Sequence, residues 1–176
     1  MRGISVLAVA AGLLAGPAAP AAAQAVTDAQ IAAIVVAANQ VDIDAGKLAA
    51  ARASNPEVKK FGEQMVTDHS SVNKSAAALV NKLKVTPEEN PTSRSLKEGG
   101  EKNLARLKTL SGAAFDKAYI DHEVEYHQQV LDALDKTLIP GASNDELKAL
   151  LVKVKPAFVA HLEHARHIQS SLGNGQ

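Results

Sequence analysis

Cysteine and tryptophan are both absent from the 176-residue chain, and aromatic side chains make up only 3% of it. Without cysteine there is no disulfide, no thiolate metal site, no haem attached through a cysteine pair and no thiol nucleophile. With so few rings, the 46% of hydrophobic residues must be mostly Ala, Leu, Val and Ile. Those side chains suit close-packed helices better than a sheet, which draws on aromatic and β-branched residues. An excess of one charge is also missing: 19 basic residues match 19 acidic ones. No basic field is available for a phosphate backbone, so no nucleic-acid partner is expected.

What is present starts with the N-terminus. Arg2 precedes a short apolar run from Ile4 to Ala15, and Ala21-Ala22-Ala23 offers a small-residue cleavage site before Gln24. This is the pattern of a secretory signal peptide over residues 1–23. The run is shorter than the roughly 20 apolar residues a membrane span needs, and no later segment is long and apolar enough. The expectation is a signal peptide followed by one domain over 24–176, with no membrane span after cleavage. The mature protein is expected in the periplasm or the medium, with envelope association left open.

The rest of the chain reads as helices. Thr27-x-x-Gln30 is a capping box, and Ile31, Ile34, Val35, Ala38, Ala45 and Ala49 share one meridian at about 100° per residue. Ser54-Asn55-Pro56-Glu57 ends that helix and opens a second over 56–84, with Val58, Phe61, Met65, Val72, Ala76, Leu79 and Leu83 inward. Pro87, Asn90, Pro91 and Ser93 read as a loop, followed by a short helix over 101–110 weakened by Gly99-Gly100. Ser111-Gly112 breaks it. The third long helix is expected over 113–138, ended by Pro140-Gly141. Ser143-Asn144 caps the fourth, which carries Leu147, Leu151, Val154, Phe158, Leu162, Ala165 and Leu172 inward and should kink at Pro156. The expected fold is therefore all-α: an antiparallel four-helix bundle with a short extra helix before the third long one, the second-to-third link being the crossover. The tail 173–176 should fray.

Ionisable residues on the inward stripes carry the functional question, because a buried charge is costly unless it is paired or bound to a metal. Asp42 falls on the stripe of the first helix, and His69, with Asp68 beside it, on that of the second. Glu123 and His127 lie one turn apart on the third, and His161 faces inward between Phe158 and Ala165. Imidazole and carboxylate together suit one ion of zinc, iron, copper or manganese. Asp42, His69, Glu123, His127 and His161 are thus the candidate ligands. Asp68 and Tyr126 would act behind them, and His164 at a rim. Residues at 161, 164 and 167 are each offset by about 60° around a helix, so His167 should face solvent; His122 sits at a stripe edge and is left unassigned. Against this stands a plainer reading, in which inward histidines are satisfied by Tyr119, Tyr126, a carboxylate or the backbone.

The runs Asp42-Ile43-Asp44-Ala45-Gly46-Lys47-Leu48-Ala49, Val58-Lys59-Lys60-Phe61, Met65-Val66-Thr67-Asp68-His69-Ser70 and Phe115-Asp116-Lys117-Ala118-Tyr119-Ile120, with His127 and His161-Leu162, carry a resemblance. Together they resemble the bacterial family known as domain of unknown function 4142, placed in the ferritin-like superfamily and often labelled outer membrane proteins. The resemblance covers nearly all of the mature chain and implies a ferritin-like four-helix fold and export. This chain has Asp42 where the family usually has Glu, and Tyr126 where it often has an acid.

No Glu-x-x-His occurs in the sequence. Two such motifs build the di-iron carboxylate centre of ferritins, so ferroxidase activity is disfavoured and a binding protein is expected before an enzyme. Two functions compete: an exported bundle holding a metal ion or small polar ligand in its core, and a non-catalytic envelope protein whose buried polar residues only satisfy one another. A haem held by Met65 with His161 or His127 is a remoter option. Ser-His-Asp catalysis has no support, since no strained nucleophile turn is present.

Overall fold

A computed structural model describes residues 26–174, so the expected signal peptide over 1–23 lies outside the described residues. The described chain is all helical, with no strand among those residues. It runs α1 (Asp28–Arg52), α2 (Pro56–Leu83), α3 (Pro91–Lys108) and α4 (Gly112–Ala133). A π-helical turn (Leu134–Leu138) and a one-turn α5 (Ile139–Gly141) extend α4, and α6 (Asp145–Asn174) closes the chain.

The caps are largely those written in the sequence. Thr27 and Gln30 exchange side chain-to-backbone bonds at 3.2 Å each way. Asn55 Oδ1 accepts from the backbone of Glu57 and Val58 ahead of Pro56 at the first helical position. Asn144 does the same for Glu146 and Leu147. These bonds satisfy amides that have no partner inside the helix.

Three expectations change. Asn90 and Ser93 do not sit in a loop: they form a capping box with Pro91 at the first position, so α3 starts ten residues earlier than expected. Gly99-Gly100 does not weaken its start but lies inside it. A Cβ on Gly100 would come 2.7 Å from Val41, so the glycine is what lets α3 lie against α1. At the end of α4, the helix does not run regularly to 138. Pro140 has no N–H and its ring crowds the carbonyl one turn back, and the turn before it widens so that Ile139 N bonds to Leu134 O. By contrast α6 is unbroken through Pro156, which is exposed, and reaches Asn174; only 175–176 of the expected tail lie outside the described residues.

Contacts between helix ends fix their directions. α2 runs back along α1: Gly46 and Gly62 meet so closely that a Cβ on either would fall 2.7 or 2.8 Å from the other's carbonyl oxygen. α3 returns parallel to α1, since Asn90 donates to Gln30 O at its start and Arg52 donates to Lys108 O and Leu110 O at its end. α4 descends against α1. Asp116 near its start accepts from Ser54 N, Ser54 Oγ and Asn55 N, and Asp28 accepts from Ser143 N and Asn144 N beyond its end. α6 rises against both α2 and α4, through Lys82–Glu146, Lys155–Asp135 and Gln169–Asp121. The long link between α2 and α4 is therefore a crossover, and α3 occupies it on the outer side of α1.

The core has two apolar layers. One gathers Ile31, Ile34 and Val35 of α1 with Leu131, Leu134 and Leu138 and with Leu147, Leu151 and Phe158 of α6. The other gathers Ala45 and Ala49 with Phe61, Met65, Phe115, Tyr119, Ala165 and Ile168, closed by Leu107 of α3. Between them, at one level, the four long helices bury polar side chains.

Candidate metal centre

That middle level holds Asn39, Asp42, His69, Glu123, His127 and His161, none more than 2% exposed. The imidazoles pack as a cluster, with ring centroids 5.6 Å apart for His69 and His127, 5.3 Å for His69 and His161, and 5.4 Å for His127 and His161. Phe158 stacks on His69 at 5.1 Å and closes one side. Ligand atoms of His69, His127 and His161 lie within 4.8 Å of one another, as do those of Asp42, Glu123 and His127. All five candidate ligands thus share one level, meeting as two overlapping trios that join at His127.

Each ring is held by one nitrogen. Asn39 donates from Nδ2 to Val35 O at 2.7 Å, which aims its Oδ1 at His69 Nδ1, also at 2.7 Å. Nδ1 must then carry the proton, with Asp42 Oδ2 at 3.4 Å beside it. His127 Nδ1 donates to Glu123 O at 3.0 Å and has Glu123 Oε2 at 3.4 Å. His161 Nε2 donates to Asp68 Oδ2 at 2.9 Å. The opposite nitrogens, Nε2 of His69, Nε2 of His127 and Nδ1 of His161, are buried with no hydrogen-bond partner among the described residues. Buried polar atoms without partners are rare and call for a cause. Anchoring one ring nitrogen while the other stays bare is how proteins present imidazole to a metal.

Electrostatics sort the group. Burial, reinforced by the charges of His127 and His161, pushes His69 down to about 2, so it is neutral. Burial also lowers His161, outweighing its hydrogen bond to Asp68. Burial would lower His127 too, but its hydrogen bonding to Glu123 and the charges of Asp42 and Glu123 push it up to about 9. Desolvation raises Asp42 well above the usual carboxylate range, against the pull of His127. His127 is therefore where this level accepts positive charge. As an imidazolium it would carry a proton on Nε2 that nothing receives.

The remaining candidates lie around this level. Asp68 is at the edge, its side chain 41% exposed. Tyr126 donates to Ala38 O at 3.1 Å, and its ring packs edge-on against His127. His164 is exposed, with Nδ1 3.3 Å from Gln64 Oε1; His167 is exposed; and His122 is half-buried and stacked on Tyr126 at 5.5 Å. Asn39 was not among the expected residues, although it lies one turn before Asp42 on the same stripe. Tyr119, offered as a partner for a histidine, has a buried hydroxyl with no hydrogen-bond partner among the described residues, and burial, then the charges of Glu123 and Asp42, raises it well above the usual phenol range.

An all-helical bundle whose two apolar layers enclose a level of inward imidazoles and carboxylates is the class that fold and site define. The chain belongs to the family described as domain of unknown function DUF4142, whose model matches residues 14–168. No curated protein matches it in sequence. Among solved structures it is similar to CopM in the Cu(II)-bound form, at 18% identity and a TM-score of 0.64, over 82% of this chain and 98% of that one. It is also similar to a DUF305 protein from Streptomyces coelicolor, described as a candidate secreted protein, at 12% identity and a TM-score of 0.68, over 83% of this chain and 93% of that one. At those identities the likeness is one of fold. No helix among the described residues is long and apolar enough to cross a membrane.

Proposed function

We propose that this protein is an exported, ferritin-like bundle that binds one transition-metal ion through His69 Nε2, His127 Nε2 and His161 Nδ1. The observation that carries the reading is the three bare nitrogens, each on a ring whose other nitrogen is anchored. A level built only to satisfy itself would not leave them unpartnered. In tetrahedral coordination the nitrogens would draw together to about 3.3 Å from one another, given metal–nitrogen bonds of about 2.0–2.1 Å. In this assignment Asp42 and Glu123 stand behind His69 and His127 and offset the ion's charge, and Asp68 does the same for His161.

Three imidazoles without a carboxylate in direct contact favour copper or zinc over manganese. CopM, solved with Cu(II), makes copper the first ion to test. The antiparallel pairs α1/α2 and α4/α6, joined by a crossover, support the ferritin-like assignment. The expected leader and the likeness to a candidate secreted protein support export. Binding rather than oxidation fits the absence of Glu-x-x-His.

Elemental analysis of the protein purified from the compartment it is exported to should find about one metal ion per chain. A metal-free protein that also takes up neither copper nor zinc on reconstitution would remove this reading and leave the self-satisfied envelope protein in its place.

A further inference from the structure

A groove of about 330 Å³ opens between α2 and α6 and reaches the histidine level. Ser71, Ser75 and Ala157 give it short, exposed walls, and Phe158 and His161 lie at its inner end. His161 is 1% exposed, whereas Asp68, which its ring touches, is 41% exposed. A chain of polar contacts follows the same seam. His164 Nδ1 lies 3.3 Å from Gln64 Oε1, Gln64 Nε2 donates to Asp68 Oδ2 at 3.3 Å, and Asp68 Oδ2 accepts from His161 at 2.9 Å. One carboxylate therefore faces water on one side and a fully buried imidazole on the other. The grooves beside α3, between α1 and α3 and between α3 and α4, are lined by none of the three histidines.

A hydrated cation crosses a helix wall only if protein ligands replace its water in steps, because burying it bare is prohibitive. We infer that the seam between α2 and α6 is the route by which a transition-metal cation enters and leaves the histidine level, and that Asp68 takes it from water and passes it to His161. This rests on the metal reading above. Both hydrogen bonds to Asp68 fall on Oδ2, which leaves Oδ1 to take the cation while His161 Nε2 stays anchored. The site is then one that loads and unloads, as a metal-handling protein requires, and not a sealed structural one.

The test is stopped-flow loading of the full metal-free chain with Cu(II), and release from the loaded chain to a chelator. Ser71→Trp and Ala157→Trp, both at exposed positions, should slow loading and release alike by about tenfold, with Kd unchanged, because a narrowed entry path affects both directions equally. Gln129→Trp, in the groove between α3 and α4, should change neither rate. Asp68→Asn should slow loading itself; a residue that only orients His161 would leave loading alone and speed release. Wild-type loading rates in both tryptophan variants would overturn the route while leaving the metal site standing. A wild-type chain that binds no Cu(II) would overturn both.

Discussion

Asp68 and His161 face each other across the α2–α6 seam at 2.9 Å, and this single contact sets which nitrogen of the buried ring is free. The carboxylate accepts a hydrogen bond from Nε2–H, so the proton stays on Nε2 and the lone pair is left on Nδ1, inside the bundle. A half-exposed acid on one helix thereby controls the chemistry of a fully buried base on another. Replacing it with Asn keeps the shape but weakens the preference for that tautomer. Asp68→Asn should lower metal affinity by about 10- to 100-fold, read by competition with a chelator of known affinity, with little change in the melting temperature of the metal-free protein. Unchanged affinity would detach Asp68 from the site.

His69→Ala should abolish stoichiometric metal binding. It should also destabilise the metal-free bundle by about 1–3 kcal/mol, since the ring is buried and stacked on Phe158. Thermal melts with and without chelator separate the two effects. The wild type should melt higher when loaded, by linkage, and the variant should melt at one temperature in both conditions. If the wild type also melts at one temperature, the self-satisfied reading of the core gains.

Two histidines pull the pH dependence in opposite directions. His69 is held neutral, its pKa pushed from 6.5 down to about 2 by burial and then by its neighbours. The unfolded chain takes up that proton first, so the stability this group contributes is full above 6.5 and is lost as pH falls toward 2. His127 is pushed up to about 9, so its contribution is full below 6.5 and is lost as pH rises through 9. The metal-free protein should therefore be most stable near neutral pH and decline on both sides. Metal must displace the His127 proton, so affinity should climb with pH until about 9, with proton release on binding. Affinity independent of pH between about 6 and 9, in titrations in two buffers of different ionisation enthalpy, would show that His127 is not a ligand.

The α1–α2 contact offers a check on the frame. Gly62→Ala would set a methyl group 2.8 Å from both Ala49 Cβ and Gly46 O, which backbone cannot absorb without shifting the helices. Destabilisation of about 1–3 kcal/mol is expected, measured by denaturant titration. Gly99→Ala, where a Cβ meets nothing within 4 Å, should be neutral or slightly stabilising through helix propensity.

Most helices were legible because their stripes and caps agree: Thr27 with Gln30, Asn55 before Pro56, Asn144 before Glu146. The start of α3 was not, because Asn90-Pro91-Thr92-Ser93 spells a turn and a helix N-cap with the same letters, and the packing of α3 on α1, with Asn90 on Gln30 O, Gly100 against Val41 and Leu107 in the core, selects the second. The π turn before Pro140 was equally hidden, since a proline predicts that a helix is disturbed but not that it continues. For the site, helical phase placed Asp42, His69, Glu123, His127 and His161 inward, yet their common depth depends on stagger between helices that are far apart in sequence. Asn39 and the identity of the free nitrogens were out of reach for that reason: both depend on which residue stands opposite across the core.

The most direct measurement is X-ray absorption at the metal edge of the copper-loaded protein, repeated on His161→Ala. One ion per chain is expected, its scattering that of three imidazoles at about 2.0 Å, with an imidazole lost in the variant. A spectrum dominated by oxygen ligands, or the same spectrum in wild type and variant, would contradict it.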